Sequence, residues 1–162
     1  MWLSRLIAIL LVGMLTACTG LSVTPLGTNF TKDDLRIAVL GTEGRNGQIY
    51  SRALDSLIGG AADPAFTLSS ELSVASSSTL TVRGSSSNLK KRSMTAKITL
   101  VDAATGETVM SDSISESSTV GTVSSYYAQT RSDKHSDERT SLLLAERVAA
   151  RVHLYFLDAK GQ

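Results

Sequence analysis

Few residues in this chain are of types that carry chemistry, and the first of them is a cysteine. Cys18 is the only cysteine among 162 residues, so no disulfide can close within the chain. Its thiolate is a nucleophile able to accept a carbon chain. A second candidate is the stretch "SSSNLKKRS", which sets Lys90, Lys91 and Arg92 side by side, with Arg83 and Lys97 on the flanking segments. Lysine supplies a compact ammonium and arginine a planar fork matched to phosphate, so the cluster reads either as an anion site or as a solvated hairpin tip. The two histidines, His135 and His153, stand far apart, and no His-Glu-x-x-His or paired-cysteine spacing points to a metal. No serine lies in a Gly-x-Ser-x-Gly elbow. Asp102 and Asp112 form the one imaginable carboxylate pair, yet Asp102 is explained more simply as the first residue of a turn. The expectation is a protein that is not an enzyme and carries no cofactor and no metal.

The surroundings of Cys18 give its thiol a purpose. Arg5 is followed by an unbroken apolar run from Leu6 to Leu15, counting Gly13, and then by the small residues Thr16 and Ala17. This is the layout of a secretory signal peptide. A spanning helix needs roughly 20 apolar residues, more than this run provides. The four residues Leu15-Thr16-Ala17-Cys18 resemble a bacterial lipobox, in which the cysteine sulfur receives a diacylglycerol and the chain is cut just before it. That resemblance implies a lipoprotein signal peptide over 1–17 and an acylated N-terminus at Cys18. Two or three acyl chains, at ~0.8 kcal/mol per buried methylene, anchor a protein durably. An aspartate after the cysteine usually marks retention at the inner membrane in bacteria with two membranes. Thr19 stands there instead, so the resemblance implies a lipid-anchored protein of the outer membrane that faces the periplasm.

Removal of residues 1–17 takes away only Arg5 among the charged side chains, leaving 15 basic against 15 acidic. A neutral chain lacks the broad basic footprint of nucleic-acid binding, so no nucleic-acid partner is expected. What remains, about 145 residues, suits one domain with a single core. Residues 18–34 lack any sustained period and carry Gly, Pro and Asn, which reads as a tether. The ordered domain is expected over 35–158, with a short tail at 159–162.

Within that domain "LRIAVL" alternates Leu35, Ile37 and Val39 as a short strand ending at Gly41. Ile49, Tyr50, Ala53, Leu54, Leu57 and Ile58 then recur at helical spacing and stop at Gly59-Gly60. "FTLSSELSV" places Phe66, Leu68, Leu72 and Val74 on one face and Thr67, Ser69, Glu71 and Ser73 on the other, with Ser70 a lapse. "STLTVRG" repeats the alternation through Leu80 and Val82, and "SMTAKITLVD" through Met94, Ala96, Ile98 and Leu100. After the turn signal in "DAATGETV" a long polar strand is expected at a sheet edge. A closing helix is expected after "RSDKHSDERT", with Leu142, Ala145, Val148, Ala149, Val152 and Phe156 on its apolar stripe and Asp137 and Glu138 near its start. The pattern predicts an α+β two-layer sandwich, a mostly antiparallel four-stranded sheet with two helices on one face.

The lipobox, the order of these elements, "LVDAATGETV" and "DERTSLLLAERVAARV" together resemble the LPS-assembly lipoprotein LptE family in its alphaproteobacterial form. The resemblance implies a non-enzymatic subunit of the outer-membrane lipopolysaccharide translocon. It would plug an LptD-like outer-membrane β-barrel, assist its assembly, and bind lipopolysaccharide. Carried onto this sequence, it assigns lipidation to Cys18 and lipopolysaccharide contact to Lys90, Lys91 and Arg92. Two rival classes stay open: an accessory lipoprotein of a periplasmic lipid-transport ABC (MCE-type) system, and a periplasmic hydrolase with an unmarked serine nucleophile.

Overall fold

The computed structural model describes residues 32–78 and 89–160. The signal-peptide segment 1–17, Cys18 and the tether to residue 31 lie outside the described residues. So do residues 79–88, with Leu80, Val82 and Arg83, and the last two positions. The elements are α1 (Lys32–Leu35), β1 (Ile37–Val39), α2 (Gly44–Ile58), β2 (Phe66–Ser78), β3 (Leu89–Asp102), β4 (Thr108–Gly121) and α3 (Tyr126–Lys160). Apart from the single turn of α1, these are two helices and four strands. The sheet runs β1-β2-β3-β4, parallel between β1 and β2 and antiparallel elsewhere. Both long helices bury their apolar sides on one face, which gives the α+β sandwich expected from the periodicities.

Alternation along β3 sets the two layers. Met94, Ala96, Ile98 and Leu100 are buried beneath the helices. Leu100 aligns with Leu68 of β2 on one side and Met110 of β4 on the other, extending the apolar layer across the sheet. α2 contributes Tyr50, Leu54 and Ile58, and α3 contributes Leu144, Ala145, Val148, Ala149 and Val152. The Ser70 lapse has a physical cause: it faces the core, where its hydroxyl lies 3.0 Å from that of the fully buried Tyr50. Burial pushes the Tyr50 phenol up to about 12, with Ser70 pulling weakly the other way. Gly47 answers a second local demand. The loop before α2 passes so close that a Cβ at this position would stand 2.6 Å from the Thr42 carbonyl oxygen.

The turn between β3 and β4 follows its sequence. Asp102 Oδ1 accepts from the backbone N–H groups of Ala104 at 2.8 Å and Thr105 at 3.0 Å, and Gly106 takes a φ of +71°. Those two amides hold the Asp102 carboxyl below the usual carboxylate range. Asp112 lies far along β4, opposite Ile98, so the two carboxylates form no pair.

α3 departs from expectation. It begins at Tyr126 and takes in the whole of "RSDKHSDERT", so Asp137 and Glu138 lie well inside it. Its 35 residues make it about 52 Å long at 1.5 Å per residue. Leu142, expected on the buried stripe, is 46% exposed, because the stripe runs through Leu144, Ala145, Val148, Ala149 and Val152. Toward the N-terminus the same stripe continues as Thr140, Ser141, Asp137 and Asp133, polar residues that an apolar period cannot reveal. Asp133, Asp137 and Thr140 find polar partners on the sheet, while the Ser141 hydroxyl donates to the Asp137 carbonyl of its own helix at 2.8 Å.

Candidate functional site

The sheet face away from the helices is the broadest candidate surface. It presents Thr67, Ser69, Ser73 and Ser77 of β2, Ser93, Thr95 and Thr99 of β3, and Ser111, Ser113, Ser115, Ser117 and Thr119 of β4. Strand alternation and register put all of them on one side. Thr95 and Ser115 are cross-strand neighbours with hydroxyls 2.8 Å apart, and Ser69 donates to the Thr99 carbonyl at 3.3 Å. Exposed Glu71 and Lys97 stand opposite each other in register near the middle. Around them a shallow depression of about 630 Å³ is lined by Ser69, Glu71, Lys97, Thr99, Ser111 and Ser113, among others. The sequence alternation had placed Thr67, Ser69, Glu71 and Ser73 here, and the structure does so.

The basic triplet divides between two faces. Lys91 lies on the open face with Lys97, whereas Lys90 and Arg92 alternate onto the helix side. Arg92 is engaged there. Its Nε and one terminal nitrogen each donate to the Asp137 carboxylate at 2.7 Å, and Asp133 stands 3.8 Å away. The two paired side chains are only 17% and 15% exposed. Asp137 raises the Arg92 pKa further above its ordinary value. Beside this fork the hydroxyls of Ser118 and Ser136 approach to 2.6 Å, and buried Thr140 lies 3.0 Å from Ser118. Sequence reasoning saw Arg92 as a hairpin cation and missed its partners. Their signal is a polar i, i+4, i+7 stripe at Asp133, Asp137 and Thr140.

A second polar set runs along β4, which is the outer strand of the sheet. Arg147 and Arg151, one turn apart on α3, bind Glu116 at 2.6 Å and Asp112 at 2.7 Å. Those carboxylates also accept from the strand's own amides, Ser117 at 3.3 Å and Ser113 at 2.8 Å, and Arg147 reaches the Ser115 carbonyl at 3.4 Å. Arg151 and the Ser113 amide hold the Asp112 carboxyl below the usual range.

Cys18 lies outside the described residues. His153 is half-buried on α3, where burial lowers its pKa, and His135 is exposed on the same helix. Among the described residues no three His, Cys, Asp or Glu side chains converge as a metal site.

No protein-family model matches the sequence, and no curated protein matches it significantly. Solved structures do match. A Caulobacter crescentus protein, itself provisionally assigned as a lipoprotein, is 23% identical and aligns over 74% of this chain and 89% of its own, with a TM-score of 0.59. Rare lipoprotein B from Shewanella oneidensis is 10% identical over 76% of this chain and 98% of its own, also with a TM-score of 0.59. A minor lipoprotein from Acinetobacter baumannii is 7% identical over 74% and 92%, with a TM-score of 0.57. At such identities the likeness is one of fold: this chain has the fold of these bacterial lipoproteins.

Proposed function

We propose that this chain is a non-enzymatic outer-membrane lipoprotein of the lipopolysaccharide-assembly type, acylated on Cys18, that seats inside an LptD-like β-barrel with its open sheet face against the wall. The observation that carries the reading is that face, a wide array of serine and threonine hydroxyls left uncovered by either helix. The lumen of a large barrel is polar and wet. Short hydroxyl side chains suit it, because they lose little rotamer entropy and exchange hydrogen bonds with lumen groups through trapped water. The shared fold with bacterial lipoproteins and the lipobox-like residues before Cys18 support the same reading.

Attachment is then through acyl chains; among the described residues no helix is long and apolar enough to cross a membrane. Lys90 and Lys91 are the proposed lipopolysaccharide contacts, at the end of the sheet nearest residues 79–88. Arg92 serves them indirectly, by fixing the base of that end onto α3.

Photo-crosslinkers at Ser69, Ser73, Ser113 and Ser115 test the seat. They are expected to give adducts with one large outer-membrane protein in cells, while a crosslinker at exposed Arg52 on the helix layer gives fewer. If the four open-face sites yield no adduct of that size, the barrel seat is wrong. Capture of an MCE-type protein instead would move the chain to lipid-transport accessory work.

A further inference from the structure

On the helix layer, away from the hydroxyl face, α2 and α3 enclose a cleft of about 450 Å³. Its α3 wall is formed by Arg131, Lys134, His135 and Glu138, at the i, i+3, i+4, i+7 spacing that puts side chains in one stripe. Arg45, in the first turn of α2, closes the other side and forms an ion pair with Glu138. That glutamate is the one carboxylate lining the cleft. The acidic residues of the same helical turns, Asp133 and Asp137, point the other way and bind Arg92. Along these turns Asp133 and Asp137 thus face the sheet while Arg131, Lys134 and His135 face the cleft, with Glu138 the acid among them.

Of the bases in the cleft, Arg45 alone is paired among the described residues. Among the described residues the side chains of Arg131, Lys134 and His135 take part in no hydrogen bond or ion pair. Arg45, Arg131 and Lys134 outnumber Glu138 by a formal charge of two. Like charges gathered in one concavity repel, and a dianion placed among them removes that repulsion while gaining charge-assisted hydrogen bonds. Two guanidinium forks, an ammonium and the Ser132 hydroxyl form a donor set matched to phosphate oxygens. The volume lies in the range of small-ligand sites.

We propose that this cleft binds a doubly charged phosphate group, a phosphate monoester or diphosphate, at a site separate from Lys90 and Lys91. The group belongs either to a soluble phosphate compound or to a phosphorylated lipid head group, since both offer the same oxygens.

The test uses the full chain in non-ionic detergent at low salt, titrated calorimetrically with pyrophosphate and, separately, with non-ionic micelles doped with phosphatidic acid. Binding of the first probe assigns a soluble phosphate, binding of the doped micelles a lipid head group, and either supports the site. Replacing Arg131→Gln and Lys134→Gln together is expected to weaken binding roughly tenfold, as befits two partly exposed cationic contacts. Glu138→Gln, which releases Arg45, is expected to tighten it roughly threefold by the same reasoning. A Lys90→Gln, Lys91→Gln chain is expected to bind as the parent does. The proposal fails if the parent chain binds neither probe, if the Arg131 and Lys134 replacements leave affinity unchanged, or if the Lys90 and Lys91 replacements abolish it.

Discussion

Replacing Arg92→Ala, Asp137→Ala, and both together should show that one ion pair holds half of α3 in place. The apolar stripe of that helix begins only at Leu144. Ahead of it, the 18 residues from Tyr126 to Leu143 have no continuous apolar face to hold them on the sheet, and helix propensity alone stabilises such a segment only marginally in water. Its most shielded ionic anchorage is the Arg92 fork, two bonds of 2.7 Å with a second carboxylate 3.8 Å away, beside the hydroxyl contacts of Ser136 and Thr140 with Ser118. Exposed pairs contribute at most about 1 kcal/mol, whereas removing one partner of a buried pair costs about 3–5. Side chains 17% and 15% exposed fall between these limits, nearer the buried one. Arg92→Ala should therefore cost about 3 kcal/mol, and the coupling in the double-mutant cycle should be about 2 kcal/mol. Urea unfolding at low and at high salt measures both quantities, and the coupling should survive salt because the pair is largely shielded from it. Amide exchange gives an independent readout: residues 126–141 should lose protection in Arg92→Ala while residues 144–157 keep theirs. A coupling under about 0.5 kcal/mol, or protection lost evenly along α3, would refute the anchoring argument.

Tyr50 makes a prediction about alkaline pH. Its phenol sits at about 12 in the fold against 10 in the unfolded chain, so the unfolded state releases the proton first. Stability is intact below pH 10 and falls as pH rises toward 12, by up to about 2 kcal/mol. Tyr50→Phe should flatten that slope in chemical-unfolding curves while costing about 1 kcal/mol at neutral pH, since Ser70 loses its partner. Gly47→Ala should destabilise by about 1–3 kcal/mol despite alanine's helix propensity, because the new Cβ meets the Thr42 carbonyl; a raised urea midpoint would contradict that contact. Cys18→Ala should abolish labelling by a palmitate analogue, and label persisting on the variant would end the lipoprotein reading. Arg147→Ala with Arg151→Ala should cost under about 1 kcal/mol per pair yet raise self-association in sedimentation, an effect that a merely decorative pair would not produce.

The sequence was most legible where burial alone decides the residue. The alternation of Met94, Ala96, Ile98 and Leu100 gave both the strand and its inward face, and the spacing of Tyr50, Leu54 and Ile58 gave α2. It was least legible where one polar group answers another from afar. Ser70 looked like a break in pattern until Tyr50 supplied the reason. The start of α3 was hidden because Asp133 and Asp137 are buried by a guanidinium 45 residues from Asp137 in sequence, which no local period encodes. For the same cause the triplet Lys90-Lys91-Arg92 read as one cluster, although strand alternation sends its members to different sides. The basic stripe at Arg131, Lys134 and His135 becomes readable only once that stretch is known to be helical.

The ladder that Arg147 and Arg151 build along β4 acquires its meaning in two dimensions. Under the proposed acylation at Cys18 the protein shares a plane with its own copies, and confinement to a plane multiplies encounters far beyond those of the same number of molecules free in solution. Under such crowding, fourteen residues of unpaired strand would be a standing invitation to stack sheet upon sheet. The amides of Ser113 and Ser117 and the carbonyl of Ser115 are already occupied by groups from within the chain, so a passing copy finds the middle of that row interrupted. Copies brought to high surface density then meet an edge with a built-in obstacle to strand-on-strand growth.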